Sequence, residues 1–158
     1  MADAKIMEHA KQVYNTLCAA IDNIEWHYTK DEEKLLVHFG VNGEKMPMQF
    51  FILVDAERKL IRLMSPLPFK MSEDKRIDGV LATCAASFGM AEGNFDYDVT
   101  DGSIEFRMTS YFEGCQIGEG FFEFMISCAC AMVDEYSDKF LAINKGVLNI
   151  IDFITNKD

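Results

Sequence analysis

Apolar residues along this chain change spacing four times, from the helical period to the strand period and back, and only a mixed architecture accommodates that. Ile6, Met7, Ala10, Val13, Tyr14, Leu17, Cys18 and Ile21 recur every three or four residues, which predicts a helix over 4–22 with a single apolar stripe. Short strands follow. Glu25-Trp26-His27-Tyr28 is read as the first, and the charged Lys30-Asp31-Glu32-Glu33 as its turn. Residues 35–41 are rich in β-formers, and Asn42-Gly43 is a strong turn signal. Residues 48–54 are almost continuously apolar, so both faces of that strand are expected to be covered. Residues 59–64 alternate, and 55–58 suits a short hairpin link.

Pro66 and Pro68 are expected to break the sheet. Ser72 then offers an N-cap, with Glu73 and Asp74 at the positive end of a helix running to about Phe88. Ile77, Val80, Leu81, Cys84, Ala85 and Phe88 are assigned to its inward face, and the small side chains of 82–87 allow close approach to a neighbour. Gly89 stops it. Phe95, Tyr97 and Val99, then Ile104, Phe106 and Met108, alternate with polar residues about Asp101-Gly102, the pattern of an antiparallel hairpin. Helical spacing returns over 120–140, and 144–155 continues or restarts it across Lys145-Gly146. The fold class is therefore α+β, an antiparallel sheet with helices packed on one side, in the order α-β-β-β-β-α-β-β-α(-α).

At 158 residues the chain is expected to form a single α+β domain over 1–158 that needs no staples. Its net charge of -11 repels phosphate backbones and anionic lipid. The densest basic stretch (Arg58, Lys59, Arg62, Lys70, Lys75, Arg76) is interrupted by Asp55, Glu57, Glu73 and Asp74, so neither nucleic acid nor membrane is an expected partner. No signal peptide and no apolar run of bilayer length are visible, and five cysteines without CxxC spacing read as reduced thiols, which together place the protein in the cytoplasm.

Residue patterns that could carry chemistry are few. Asp96-Tyr97-Asp98-Val99-Thr100-Asp101-Gly102 imitates a calcium loop, but the sixth position is Asp101 and the twelfth Arg107 where Gly and a bidentate Glu are needed. Gly114, Gly118 and Gly120 make a bend without a phosphate-cradling motif. Cys115 in that bend is the best candidate for an accessible thiol, but nothing in the sequence sets His9, His27 or His38 beside it as a base. Cys128 and Cys130 point roughly 200° apart on a helix and do not chelate one ion together. No catalytic residue, metal ligand or cofactor site is assigned.

The third long helix is more informative. Phe121, Phe122, Phe124, Met125, Ile126, Cys128, Ala129, Met132, Val133, Tyr136 and Phe140 cover an arc of roughly 200°, against ~100° for an ordinary surface helix. One sheet face does not cover that arc. The remainder belongs to the C-terminal segment, a second copy or a client protein, and Phe121, Phe124, Met125, Met132 and Phe140 are the candidate partner-binding face. Ten methionines add adaptable apolar surface.

Element order, the Ser65-Pro66-Leu67-Pro68-Phe69 link before an acidic-capped helix, and a hairpin feeding a long terminal helix resemble the YbjN-like family of bacterial sensory transduction regulators, whose fold is similar to type III secretion chaperones. The resemblance spans roughly residues 5–155 and rests on 69–76, on Gly93-Asn94-Phe95 and on Asp101-Gly102. The chain departs from it in its richness in Cys and Met. It implies no catalytic residues, a protein that acts through protein contacts, and a dimer. The expected function is a non-enzymatic, chaperone-like or regulatory protein-binding module. The alternatives are a small-molecule binder or enzyme with a pocket near Trp26, Tyr111 and Cys115, and an acidic decoy for a basic partner.

Overall fold

The computed structural model describes residues 3–156. Helix α1 (Ala4–Asn23) starts where the Asp3 carboxylate accepts from the Ile6 N–H at 2.8 Å, satisfying one of the free amides of a helix start. Its stripe, from Ile6 through Ala10, Val13, Tyr14 and Leu17 to Ile21, is buried as the periodicity demands. Strands β1 (Thr29–Asp31), β2 (Leu36–Asn42), β3 (Pro47–Asp55) and β4 (Leu60–Lys70) follow. A 3-10 turn over Glu73–Lys75 leads into α2 (Arg76–Ser87), then β5 (Asn94–Tyr97), β6 (Ser103–Tyr111), α3 (Glu119–Asn144) and the short α4 (Ile150–Thr155). The six strands form one antiparallel sheet in the order β1-β2-β3-β4-β6-β5. Along β2, β3, β4 and β6 alternate residues are buried, and those inward positions join the helices in one apolar core.

Three expectations about the strands need correction. The first strand is not 25–28. Glu25 takes a left-handed φ of 57°, and the Tyr28 hydroxyl donates to Asp22 at 2.9 Å, which ties this segment to the end of α1 and delays pairing until Thr29. Residues 48–54 are not covered on both faces: Met48, Phe50, Ile52 and Val54 are buried, while Phe51 and Leu53 stay half-buried on the outer face. Pro66 and Pro68 do not break the sheet, because the β3–β4 ladder already ends at Phe51 opposite Met64. Beyond that point β4 pairs only with β6, with a register shift between Pro66 and Lys70, so a missing N–H costs no second ladder.

The apolar arc of α3 is covered mainly by the chain itself. Helices α1 and α2 and strands β3, β4 and β6 all pack against it, and Phe153 of α4 closes on Tyr136 and Phe140 at ring separations of 6.4 and 6.1 Å. The β2–β3 turn is pinned to the same helix, since the Glu44 N–H donates to Asp134 at 2.9 Å and Lys45 pairs with Asp138 at 2.8 Å. Helix α3 ends in a Schellman turn. Gly146, at φ 72°, donates to the Ile143 carbonyl and Val147 to that of Ala142, so the helix stops here and α4 starts anew.

Candidate protein-docking surfaces

Helix α2 sits the other way round from the sequence expectation. Its buried residues are Gly79, Ala82, Thr83 and Ala86, a stripe of small side chains at helical spacing. They let the helix lie close against β5: a Cβ on Gly79 would meet the Tyr97 ring at 2.7 Å and Met71 at 2.8 Å. The buried Thr83 hydroxyl donates to the Gly79 carbonyl at 2.8 Å, so this hydroxyl keeps a partner inside the contact. At the helix end, the Phe95 N–H donates to the Ser87 hydroxyl at 2.9 Å, which stitches α2 to β5. With the small face inward, the large residues turn out. Ile77 is 73% exposed, Leu81 42% and Phe88 84%, with Cys84 exposed between them. Positions 77, 81, 84 and 88 form one stripe, and residues 79–91 carry no charged side chain in a chain of net charge -11.

The opposite end of the sheet offers a different surface. Strand β2 pairs with β3 along its whole length, but β1 reaches only Leu36, Val37 and His38. The His38 carbonyl faces β1 and accepts from the Thr29 hydroxyl at 3.3 Å. By the strand's two-residue period, the backbone groups of Gly40 and Asn42 face the same way, past the end of β1. Beside this edge lies an apolar groove of about 390 Å³ lined by Ile24, Trp26, Val41, Ile126 and Cys130, with Glu123 and Ser127 at its rim. Trp26 is held there against Phe39, ring centres 5.7 Å apart.

The five sequence-selected residues of α3 do not make one face. Met125 and Phe140 are core, Phe121 and Met132 are half-buried, and Phe124 is 57% exposed. Trp26, Tyr111 and Cys115 do not converge either. The Tyr111 hydroxyl donates to Glu113 at 2.5 Å, and Lys59 donates to the same carboxylate at 2.7 Å. Those two bonds hold the Glu113 carboxyl below its ordinary range, the lysine's being the larger influence. Cys115 is exposed, with its sulfur 3.8 Å from the Glu113 carbonyl, and the His9 ring packs edge-on against Phe112. On α3, burial pushes the Cys130 thiol up to about 11 and raises Cys128, so both stay protonated at neutral pH. Among the described residues no group of three or more His, Cys, Asp or Glu is arranged to hold a metal ion, and no helix is long and apolar enough to cross a membrane.

Neither α2's outer stripe nor the open β2 edge was read from the sequence. Placing large apolar residues inward is the usual rule, and the small stripe at 79, 82, 83 and 86 was the signal that overrides it. The β2 edge depends on β1 being only three residues long, and periodicity does not report that.

No protein-family model matches the chain, and no curated protein sequence matches it. Solved structures do. A chain of the HopA1-SchA chaperone-effector complex superposes with a TM-score of 0.57 at 12% identity, covering 81% of this chain and 95% of its own length. A chain of the ExsC-ExsE complex gives 0.57 at 15% identity, covering 80% of this chain and 92% of its own. The fold is shared. The expected α+β architecture, an open antiparallel sheet of the type III secretion chaperone kind with helices on one side, is the one found.

Proposed function

We propose that this chain is a non-enzymatic, chaperone-like protein-binding module, one α+β domain of the cytoplasm, of the YbjN-like type. The observation that carries the reading is the outward stripe of α2, with Ile77, Leu81 and Phe88 exposed and no charged side chain over residues 79–91. Water-exposed apolar stripes of this kind mark contact surfaces. In an acidic protein, copy-to-copy contacts tend to press carboxylate against carboxylate, whereas residues 79–91 carry none. A second copy of the chain is therefore the occupant assigned to α2, and the functional unit is a homodimer.

The groove at Trp26 and the free backbone of Gly40 and Asn42 suit a different occupant, an extended segment of a client. Such a segment adds main-chain hydrogen bonds along β2 and sets alternate side chains into the apolar groove. The fold shared with a chain solved in a chaperone-effector complex supports this reading.

Light scattering tests the first part. The native chain should give twice its 18.0 kDa monomer mass, and Leu81→Glu should return it to the monomer with an unchanged far-ultraviolet spectrum. A native monomer would reject the α2 assignment. For the second part, a protein that co-purifies stoichiometrically with the native chain should be lost from Trp26→Ala and retained by Phe124→Ala. Equal retention by both variants would move the client site away from the β2 edge.

A further inference from the structure

The groove beside the open β2 edge is walled by two stretches of one charge. Residues 12–29 supply Ile24 and Trp26, and residues 108–138 supply Glu123, Ile126 and Cys130. Neither stretch contains a lysine or an arginine, while the first holds two carboxylates and the second six. Away from the groove, carboxylates are matched on the sheet, Asp96 by Arg107 and Glu113 by Lys59. Here they are not. Among the described residues, neither Glu123 at the rim nor Glu25, between Ile24 and Trp26, takes part in an ion pair. The lysines of adjoining elements are held elsewhere: Lys45 pairs with Asp138 at 2.8 Å, Lys139 pairs with Glu135, and Lys30 lies 5.1 Å from the centre of the Tyr28 ring. The Cys130 thiol on the groove wall is raised by burial and then by the charge of Asp134, so the negative field reaches the groove itself.

We infer that the segment received at the β2 edge is basic: an extended stretch whose apolar residue fills the Trp26 groove opposite Val41, with a lysine or arginine two positions away meeting Glu123. The inference rests on the strand-addition reading and names the chemistry of its client. Alternation sets the pattern, because residues two apart share a face of an added strand. Charge sets the sign. A segment that covers the rim takes Glu123 out of water, and a carboxylate desolvated without a partner is costly. A cation at that position offsets the cost, whereas an acidic segment adds repulsion and is steered away before contact.

Three labelled peptides and the native chain test it by fluorescence anisotropy. In Thr-Lys-Thr-Leu-Thr-Lys-Thr the leucine and both lysines share one face; the second peptide has Glu for Lys, and the third has Ala for Leu. At low salt the Lys-Leu peptide should bind at least ~5-fold more tightly than either of the others, and its lead over the Glu peptide should shrink as salt screens the rim. Glu123→Lys, at an exposed position, should abolish that lead. Glu92→Lys makes the same change of charge beside a different apolar cleft, at Phe121 and Phe124, and should keep it. Trp26→Ala should weaken the Lys-Leu peptide at least ~5-fold. Ser127→Trp, which fills the groove from an exposed helix position, replaces that variant should it fail to fold. Equal binding of the Lys and Glu peptides, both lost from Trp26→Ala, would overturn the basic client and leave strand addition standing. A lead that survives Glu123→Lys would overturn it likewise. Binding indifferent to Trp26→Ala and Ser127→Trp, or no binding up to about 1 mM, would reject the groove as the site and the inference with it.

Discussion

Helices α2 and α3 have similar apolar content and opposite fates. Phe122, Met125, Ile126, Ala129, Val133, Phe140 and Ile143 of α3 are buried, and the rest of its apolar arc is largely screened by α1, α2 and α4. Helix α2 sends only Gly79, Ala82, Thr83 and Ala86 inward and leaves Ile77, Leu81 and Phe88 in water. The difference teaches that side-chain volume, not hydrophobicity alone, selects the inward face. Close packing against Tyr97 and Met71 leaves no room for a leucine, and the helix turns its small stripe to the sheet.

The most demanding way to break this contrast is to cut the large rings on both helices. Phe122→Ala or Phe140→Ala should cost about 3–5 kcal/mol in urea unfolding, as deep aromatic truncations do. Phe88→Ala, measured dilute enough to keep copies apart, should stay within about 0.5 kcal/mol of the native chain. Comparable losses at Phe88 and Phe140 would dissolve the distinction.

The tight face of α2 is tested by filling it. Gly79→Ala sets a methyl 2.7 Å from the Tyr97 ring and should destabilise by about 1–3 kcal/mol despite the better helix propensity of alanine. A gain in stability would show that α2 has slack against β5.

Thiol chemistry sharpens the comparison, because each helix carries a reporter. In the Leu81→Glu variant at pH 7.5, iodoacetamide should modify Cys84 at least ~10-fold faster than Cys130, whose thiol burial, and then the charge of Asp134, hold up at about 11. The native chain should show Cys84 slowed towards the Cys130 rate by the second copy. Unchanged Cys84 labelling between native and variant would leave α2 without its assigned partner.

The smallest effect concerns the hairpin against which α2 packs. Arg107 bonds Asp96 at 2.5 Å and is the largest influence lowering its carboxyl pKa. A carboxylate lowered on folding adds stability above its unfolded pKa of about 3.9 and loses it as pH falls through the folded value. The pair is partly exposed, so solvent screening limits its contribution to under about 1 kcal/mol. Asp96→Asn should therefore reduce the loss of stability between pH 5 and pH 2 in acid titration of unfolding.

Much of the fold was legible because period and turn chemistry are local. The stripe from Ile6 to Ile21, the alternation of Ile104, Phe106 and Met108, and the turn at Asn42-Gly43 all reappear in the structure. What failed was non-local. Pro66 and Pro68 read as breakers until β3 is known to stop pairing at Phe51, and Val99 reads as a strand residue until β5 ends at Tyr97. Of the residues chosen as a binding face, Phe124 alone is strongly exposed, because coverage of α3 depends on where α1, α2 and α4 land.

One end of the sheet is stoppered by Ser87 at Phe95, and the other is left unfinished at Gly40 and Asn42. A ribbon lengthens without limit only if both margins accept a neighbour. With a single receptive margin per molecule, a client strand added there leaves no further open margin on the same sheet, and the addition closes after one step. The open border thus receives a client while the far margin of the same sheet offers no second template.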